Sequence, residues 1–481
     1  MASYDYDIGI IGGGAAGLTV AAGSAQLGAK TILINKDAKL GGDCLHYGCV
    51  PSKTLIKTAK VRHLMLNARS FGLPPVQLPA VDFRDISQRI RSVIEIIQRH
   101  DSPERFCGMG ARVEFGHAEF ADDHEVKIDG KAVSARNWVI ATGSGPSIPS
   151  IPGLDKTNYL TNRELFFIDE LPKSMVILGG GPIAVEMAQA FARLGTMITI
   201  VEIADQILAR EDSDMAGLIM ERLSSEGVLF HLNASVTEVR DSGGEKEVFV
   251  RKGNETLNVR TDSILVAAGR RANVDGLGLE NAGVEFSKRG INVDKRLRTS
   301  RKHIYAAGDV TGAYQFTHAA GYEGGIVISN AIFHLPRKVD YSLFPWCTYS
   351  DPELASIGMN EKAAIASGKH YTAWTEEFRA NDRAIAGGTE AGQIKMLLDE
   401  KERPLGVQIL GQHAGDLIGE WITAMNGRIN LSVMASSVHP YPTLSEINKK
   451  IAGNVFSRWI FSERMKKGLK LVFNFKGRAC G

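Results

Sequence analysis

Residues 6–17 read YDIGIIGGGAAG. The apolar run YDIGII has the length of a buried strand, and GGGAAG follows it at once. A helical pattern continues through Ala29, and a second apolar run, TILI, fills residues 31–34. Strand, glycine turn, helix and strand, in that order, make a dinucleotide-binding unit. Gly12, Gly14 and Gly17 allow a tight turn, close approach of backbone to a pyrophosphate, and close packing of helix on strand. The unpaired N–H groups at the helix start face the phosphates.

The pattern recurs in the middle of the chain. Residues 175–178 read as a strand, GGGPIA (179–184) as the turn and MITIVE (197–202) as the next strand. Asn35 follows Gly12 by 23 positions, and Glu202 follows Gly179 by the same 23. One such turn is a weak signal; two at matching offsets, Gly179 and Gly181 included, are a strong one. Shorter strand-plus-glycine runs follow at WVIATG (138–143), ILVAAG (264–269) and IYAAGD (304–309). The last third differs. Residues 345–358, 393–398 and 405–410 read as strands of a mixed sheet, and 361–367 and 414–428 as helices.

Composition agrees with this reading. The 481 residues predict about three domains at roughly 150 residues each. With 44% hydrophobic and 23% charged residues, the chain is neither disordered nor fibrous. A net charge of +2 gives no reason to expect a nucleic-acid partner. Glycine is in excess, 51 residues or about 11% against a usual ~7%. No basic, apolar leader opens the chain and no run of 18 or more apolar residues occurs, so a cytoplasmic, reducing location is expected. There, two close cysteines do redox chemistry or bind metal rather than staple a fold. Zinc needs about four ligands, and Cys107 and Cys347 stand alone in sequence.

Residues 41–53, GGDCLHYGCVPSK, carry Cys44 and Cys49 five positions apart, just after the first nucleotide unit. With both glycine turns, the ATG and GD runs and the C-terminal third, the chain over residues 5–446 resembles the flavoprotein disulfide reductases. That family includes dihydrolipoamide dehydrogenase, glutathione reductase and mercuric reductase. The resemblance implies an α/β fold of two Rossmann-like dinucleotide-binding domains, for FAD and NAD, plus a C-terminal α+β dimerisation domain. The FAD domain would take residues 1–148 and 272–344, the NAD(H) domain 149–271 and the dimerisation domain 345–446, with a basic amphipathic tail at 447–481. Cys49 would lie against the flavin as the charge-transfer thiolate, and Cys44 would be the outer, interchange thiol. A nearby helix N-terminus would favour the thiolate. Lys53 and Glu186 would pair beside the flavin, where the lysine stabilises its anionic reduced form. Asp309 would bind a ribityl hydroxyl, Thr317 would open a helix aimed at the flavin ring, and Thr142, Gly143 and Gly269 would line the nucleotide sites. His318 would be a structural hydrogen-bonder. Glu202 would accept the adenosine ribose hydroxyls and repel a 2′-phosphate, which favours NADH over NADPH.

The chain departs from the family pattern at several places. Asn35 stands where the FAD unit carries an acid, a weaker ribose acceptor. Pro182 replaces a tyrosine that covers the nicotinamide pocket in several relatives. In HPYPTLSE (439–446) the place of the catalytic histidine is Tyr441, although Glu446, which would orient that residue, is present. A tyrosine with pKa ~10 is a poor base, and His439 is the substitute at hand. Mercuric reductases carry a tyrosine at this place, and residues 186–195 also look like theirs. They end in a cysteine pair, whereas residues 478–481 hold only Cys480. In a dimer Cys480 would reach the partner chain's interchange thiol; the plainer reading is a frayed tail thiol.

The function implied is an FAD-dependent NAD(P)H oxidoreductase that passes electrons through a Cys44–Cys49 disulfide to a thiol-reactive acceptor, mercuric reductase-like. Its partners would be a second copy of itself and a small thiol, disulfide or soft-metal substrate, with Tyr441 and Glu446 at the dimer cleft. One alternative is dihydrolipoamide dehydrogenase, with His439 or a water as base. The other is a membrane-surface NADH:quinone-type electron-transfer flavoprotein. Residues 447–481 hold nine Lys or Arg and one acid, Glu463, interleaved with apolar residues that include Trp459, Ile460, Phe461, Leu469, Leu471, Val472, Phe473 and Phe475. They would pack on the body of the dimer or touch an anionic membrane.

Overall fold

A computed structural model describes residues 4–477 and 479. The chain divides into two compact units. One comprises residues 1–69, 74–205 and 226–339; the other comprises 70–73, 206–225 and 340–481.

The first unit holds both nucleotide-type sheets. In the first sheet the parallel strands run in the order Ala111–Phe115, Thr31–Asn35, Tyr6–Ile11 and Lys131–Ile140. Ile304–Ala306 pairs in parallel on Lys131–Ile140, with Ile304 opposite Trp138. Ile8, Ile10, Leu33 and Ile34 are fully buried, because a parallel sheet is covered on both faces. The helix Ala15–Gln26 follows the first turn, and the later helix Thr317–Ala331 packs against it. In the second sheet the order is Leu229–His231, Met197–Val201, Ser174–Leu178 and Ser263–Val266, again parallel. An antiparallel sheet of Ala234–Ser242, Glu245–Lys252 and Glu255–Thr261 adjoins it in sequence.

The internal repeat is a structural one. Gly12 and Gly179 take φ of +112° and +110°. Their N–H groups donate to the carbonyls of Ile34 and Val201 at 2.8 and 2.9 Å. A Cβ on Gly12 would strike the carbonyl oxygen of Ala141, and one on Gly17 would strike that of Gly12. Glycine is therefore required at both places for the turn to close.

The second unit is a five-stranded antiparallel sheet in the order Pro345–Thr348, Glu353–Gly358, Pro404–Gly411, Gln393–Leu398 and Thr372–Glu377. The apolar run 345–358 is a hairpin rather than one strand; Pro352, which has no N–H to give a ladder, lies in its turn. The helices Ala414–Asn426 and Glu446–Ile460 supply Ile418, Trp421, Ile447, Ile451 and Val455 to its core. The start of the basic C-terminal stretch is thus core material, because its apolar residues recur at helical spacing. Residues 206–225 also belong here. Asp212 meets Lys395, which is almost fully buried and also contacts Asp214 at 2.6 Å and Glu361 at 2.8 Å. Glu211 accepts hydrogen bonds from Trp346, Ser356 and Gln408. Among the described residues no helix is long and apolar enough to cross a membrane.

Candidate active site

The redox segment is built from two helices set head to tail. Gly41, at φ +108°, turns the chain into the short helix Gly42–His46, which carries Cys44. Gly48 then precedes the helix Cys49–Leu66, so Cys49 is its first residue. Pro51 sits in the first turn, where no intrahelical N–H is missed. Cys49 Sγ lies 3.5 Å from the hydroxyl of Thr317, the first residue of a second helix, Thr317–Ala331. Two helix N-termini therefore converge on one sulfur, and each favours negative charge there. Both cysteines are free thiols in the structure. The Cys44 thiol hydrogen-bonds Cys49 and, with help from Thr317 and the Lys53 charge, lowers the Cys49 pKa to about 6. The same hydrogen bond, with burial, pushes the Cys44 thiol well up. The pair is poised as one thiol and one thiolate.

Lys53 lies one turn along from Cys49. Its ammonium meets the Glu186 carboxylate at 2.8 Å and the Ser52 hydroxyl at 3.3 Å. Glu186 is nearly buried on the helix Pro182–Leu194, which starts at the second glycine turn. Two residues 133 positions apart thus share a site that sequence spacing alone does not reveal.

A second network was not legible in the sequence. Asp43, immediately before Cys44, accepts from the Arg270 guanidinium at 2.9 Å and from the Asn162 amide at 3.2 Å. Arg270 also donates to the Ser144 hydroxyl at 2.7 Å, and Ser144 donates to Asp309 at 2.6 Å. Burial raises the Asp309 pKa, while the Ser144 hydrogen bond and the Arg270 charge act against it. Asp309, read as a cofactor ligand, is thereby tied to Asp43, the residue beside Cys44. The available signal was the placement of Arg270 directly after the glycine of ILVAAG.

The nucleotide turns fit the groups expected of them. Gly14 and Gly181 cap the first helix of each unit with no side-chain acceptor, so the leading N–H groups stay available. A Cβ on Gly181 would meet nothing within 4 Å, and one on Gly14 only Gly42 at 3.9 Å. That open space beside bare N–H groups suits a pyrophosphate. Asn35 Oδ1 accepts from the Gly13 N–H at 2.9 Å, and its amide donates to the carbonyls of Asp37 and Lys39. Asn35 therefore holds the turn together before it meets any ribose. Glu202 is the counterpart in the second unit, accepting from Gly180 and, at 2.8 Å, from Ala204. It is folded onto the glycine turn rather than directed to solvent. Thr142 donates to the carbonyl of Asn273 at 2.7 Å, and Gly143 and Gly269 have open space where a Cβ would stand. His318 is exposed, with its ring 5.4 Å from that of Phe316.

In the second unit the histidine-replacing segment is resolved residue by residue. Tyr441 is 72% exposed, and its hydroxyl donates to Asp382 at 2.9 Å. That bond raises its pKa above the ordinary phenol value. His439 is turned into its own unit, with Nε2 3.0 Å from Glu420 and Nδ1 3.3 Å from the carbonyl of Ser437. Glu446 accepts from the Thr443 N–H at 3.3 Å. Beside this segment Pro442, Thr443 and Ser445 line a cleft of about 360 Å³ with Arg383 and His413. Cys480 lies outside the described residues.

Two cysteines five positions apart, one of them where two helix N-termini converge, in a unit with two nucleotide turns, define a dithiol oxidoreductase that uses nucleotide cofactors. Residues 6–324 match the pyridine nucleotide-disulphide oxidoreductases, and residues 344–452 match the dimerisation domain of the same enzymes. The chain belongs to this family. It is 30% identical to a mercuric reductase of Staphylococcus aureus over 456 residues, 94% of this chain and 83% of that protein. It is 35% identical to a dihydrolipoyl dehydrogenase of Bacillus subtilis (strain 168) over 450 residues, 91% of this chain and 96% of that protein. The Cu(II) complex of the HOCl-induced flavoprotein disulfide reductase RclA from Escherichia coli superposes with a TM-score of 0.84 at 30% identity, covering 93% of this chain and 100% of that one. Membership makes the protein an oxidoreductase of the FAD- and NAD(P)H-using kind, and the matched dimerisation domain supports a homodimer.

Proposed function

We propose that the protein oxidises NADH and delivers the electrons through the Cys44–Cys49 pair to a thiol-reactive acceptor, a soft metal ion or a small disulfide. The observation that carries this reading is the placement of Cys49, first residue of one helix and 3.5 Å from the hydroxyl of Thr317, first residue of another, with Cys44 five positions before it. FAD, when bound, relays electrons between the nicotinamide and the disulfide. The disulfide takes up two electrons and one proton and becomes the Cys44 thiol and the Cys49 thiolate. Lys53, fixed in direction by Glu186, would hold positive charge beside the cofactor. Asp309, Thr317 and the turn at Gly12–Gly14–Gly17 would hold the cofactor itself. Glu202, a carboxylate at the end of the strand, would accept the ribose hydroxyls and oppose a 2′-phosphate, hence NADH.

The acceptor follows from the 439–446 segment. A dithiol substrate needs a base to remove its proton. Tyr441 has its pKa raised by Asp382, and His439 is engaged by Glu420. Neither supports efficient lipoamide chemistry, whereas a thiophilic metal ion needs thiolates and no external base. Relatives named for mercury and the copper complex of RclA point the same way. Dihydrolipoamide dehydrogenase stays as the second reading because of the 35% identity to that enzyme. NADH turnover of the purified yellow protein with Hg(II), Cu(II), lipoamide and glutathione disulfide tests the proposal. Metal or disulfide reduction that disappears in Cys49→Ser supports it; efficient lipoamide turnover contradicts the use made of Tyr441. Undiminished quinone turnover in Cys44→Ser and Cys49→Ser would make the thiols bystanders.

A further inference from the structure

The last described helix leaves both its faces in solvent. Glu463–Phe473 starts at Ser462, whose hydroxyl accepts from the Met465 N–H, and none of its residues is buried. Met465, Leu469, Val472 and Phe473 recur at i, i+4, i+7 and i+8 and share one face. Glu463, Lys467 and Lys470 lie on the other side together with Leu471, and Lys466 borders the apolar face beside Phe473. Val472 is 72% exposed and Phe473 62% exposed. The preceding helix buries Ile451 and Val455 in the sheet core, yet it ends with Trp459, Ile460 and Phe461 exposed.

Charge is segregated onto the same stretch. Residues 447–481 carry nine bases and one acid, hence +8, while the whole chain is +2, so the remainder is −6. An anionic surface repels the remainder and attracts this end.

We propose that residues 459–476 dock the protein on an anionic lipid surface, with the Glu463–Phe473 helix lying in the interface plane. A second copy of the chain is the other apolar occupant, but it would set a second strongly basic end against the first, and like charges across an interface repel. Here Arg464, Lys466, Lys467, Lys470 and Lys476 are interleaved with the apolar residues. A lysine-rich polar face opposite an aliphatic and aromatic one is the composition of an interfacial helix. The contact is peripheral, since no described helix is fit to span a bilayer. It holds whichever acceptor the thiol pair serves.

The test is flotation of the FAD-loaded full chain with vesicles of phosphatidylcholine alone and of phosphatidylcholine mixed with phosphatidylglycerol. Two variants go beside it: Lys466→Glu with Lys467→Glu and Lys470→Glu, and Val472→Ser with Phe473→Ser. Neither set touches the thiol pair or the core, so FAD content and NADH turnover with a soluble acceptor stay at wild-type levels and report a kept fold. The wild type is expected to float with the anionic vesicles only, with a blue shift of Trp459 emission that is absent in Trp459→Phe. Each basic residue is worth about fivefold in affinity, so the charge variant is expected to lose more than about a hundredfold. The apolar variant is expected to lose binding too. A wild type that stays with neither vesicle, or binds both equally, overturns the proposal. So does an apolar variant that floats like the wild type, which is adsorption by charge alone. An apolar variant that falls to a monomer in sedimentation velocity overturns it in favour of a second copy.

Discussion

Asn35 shows why a neutral residue stands where an acid is usual. Its amide donates to two carbonyls, those of Asp37 and Lys39, while its oxygen takes the Gly13 N–H. An aspartate would keep the acceptor and set a negative charge against two carbonyl oxygens. Asn35→Asp is therefore expected to lower stability by about 1–3 kcal/mol, measured by denaturant unfolding, and to loosen FAD. At Cys49 the dominant influence is the Cys44 hydrogen bond. A thiol with pKa about 6 is a thiolate above that pH and is protonated as pH falls through it. In the reduced protein, alkylation of Cys49 by iodoacetamide should show a midpoint near about 6. Cys44→Ala removes the strongest stabilising bond, so its midpoint should move upward toward the ordinary thiol value; an unmoved midpoint would assign the shift to the helix ends and Lys53 instead.

At the scale of elements, the helices Cys49–Leu66 and Pro182–Leu194 are joined by Lys53 and Glu186. Lys53 is partly exposed and Glu186 is not, so the pair couples less strongly than a fully buried one. A double-mutant cycle of Lys53→Met and Glu186→Gln is expected to return about 1–2 kcal/mol of coupling; additive effects would mean that the contact holds nothing. The loop before Ser213–Ser225 makes a pH prediction. Burial raises the Glu211 pKa despite three donors. Its folded pKa is above the unfolded one, so the folded state holds the proton more tightly. Stability from this group is greatest at low pH and declines as pH rises from the unfolded carboxylate value of about 4.3 through the folded one. Glu211→Gln should flatten that part of the thermal-melt profile.

On the scale of the whole molecule, legibility followed the range of the interactions. The two turns were readable because a nucleotide turn is a local device: Gly12 and Gly17 with their strands, and Gly179 with its own, each lie within some thirty residues. Cys44 and Cys49 are likewise close in sequence. The Asp43–Arg270 contact spans 227 positions and Ser144–Asp309 spans 165, and no local pattern announces either. The direction of His439, in a loop, was equally hidden, since Glu420 reaches it from the helix Ala414–Asn426. The burial of Ile447, Ile451 and Val455 was obscured by the charges around them, although their spacing is that of a core-facing helix. Nucleotide choice is a property of the assembled second turn. Glu202 folded onto Gly180 predicts a kcat/KM for NADH well above that for NADPH, a ratio that Glu202→Ser should reduce. A wild type that prefers NADPH would contradict that use of Glu202.

Electron passage through the Cys44–Cys49 pair leaves a signature that can be counted. Anaerobic titration of the oxidised, FAD-loaded protein with dithionite counts the redox groups directly. The wild type is predicted to take up about four electrons per FAD, two for the cofactor and two for the disulfide, and Cys49→Ser about two. Equal uptake of about two by both proteins would show that the pair holds no electrons and that they reach the acceptor by another route.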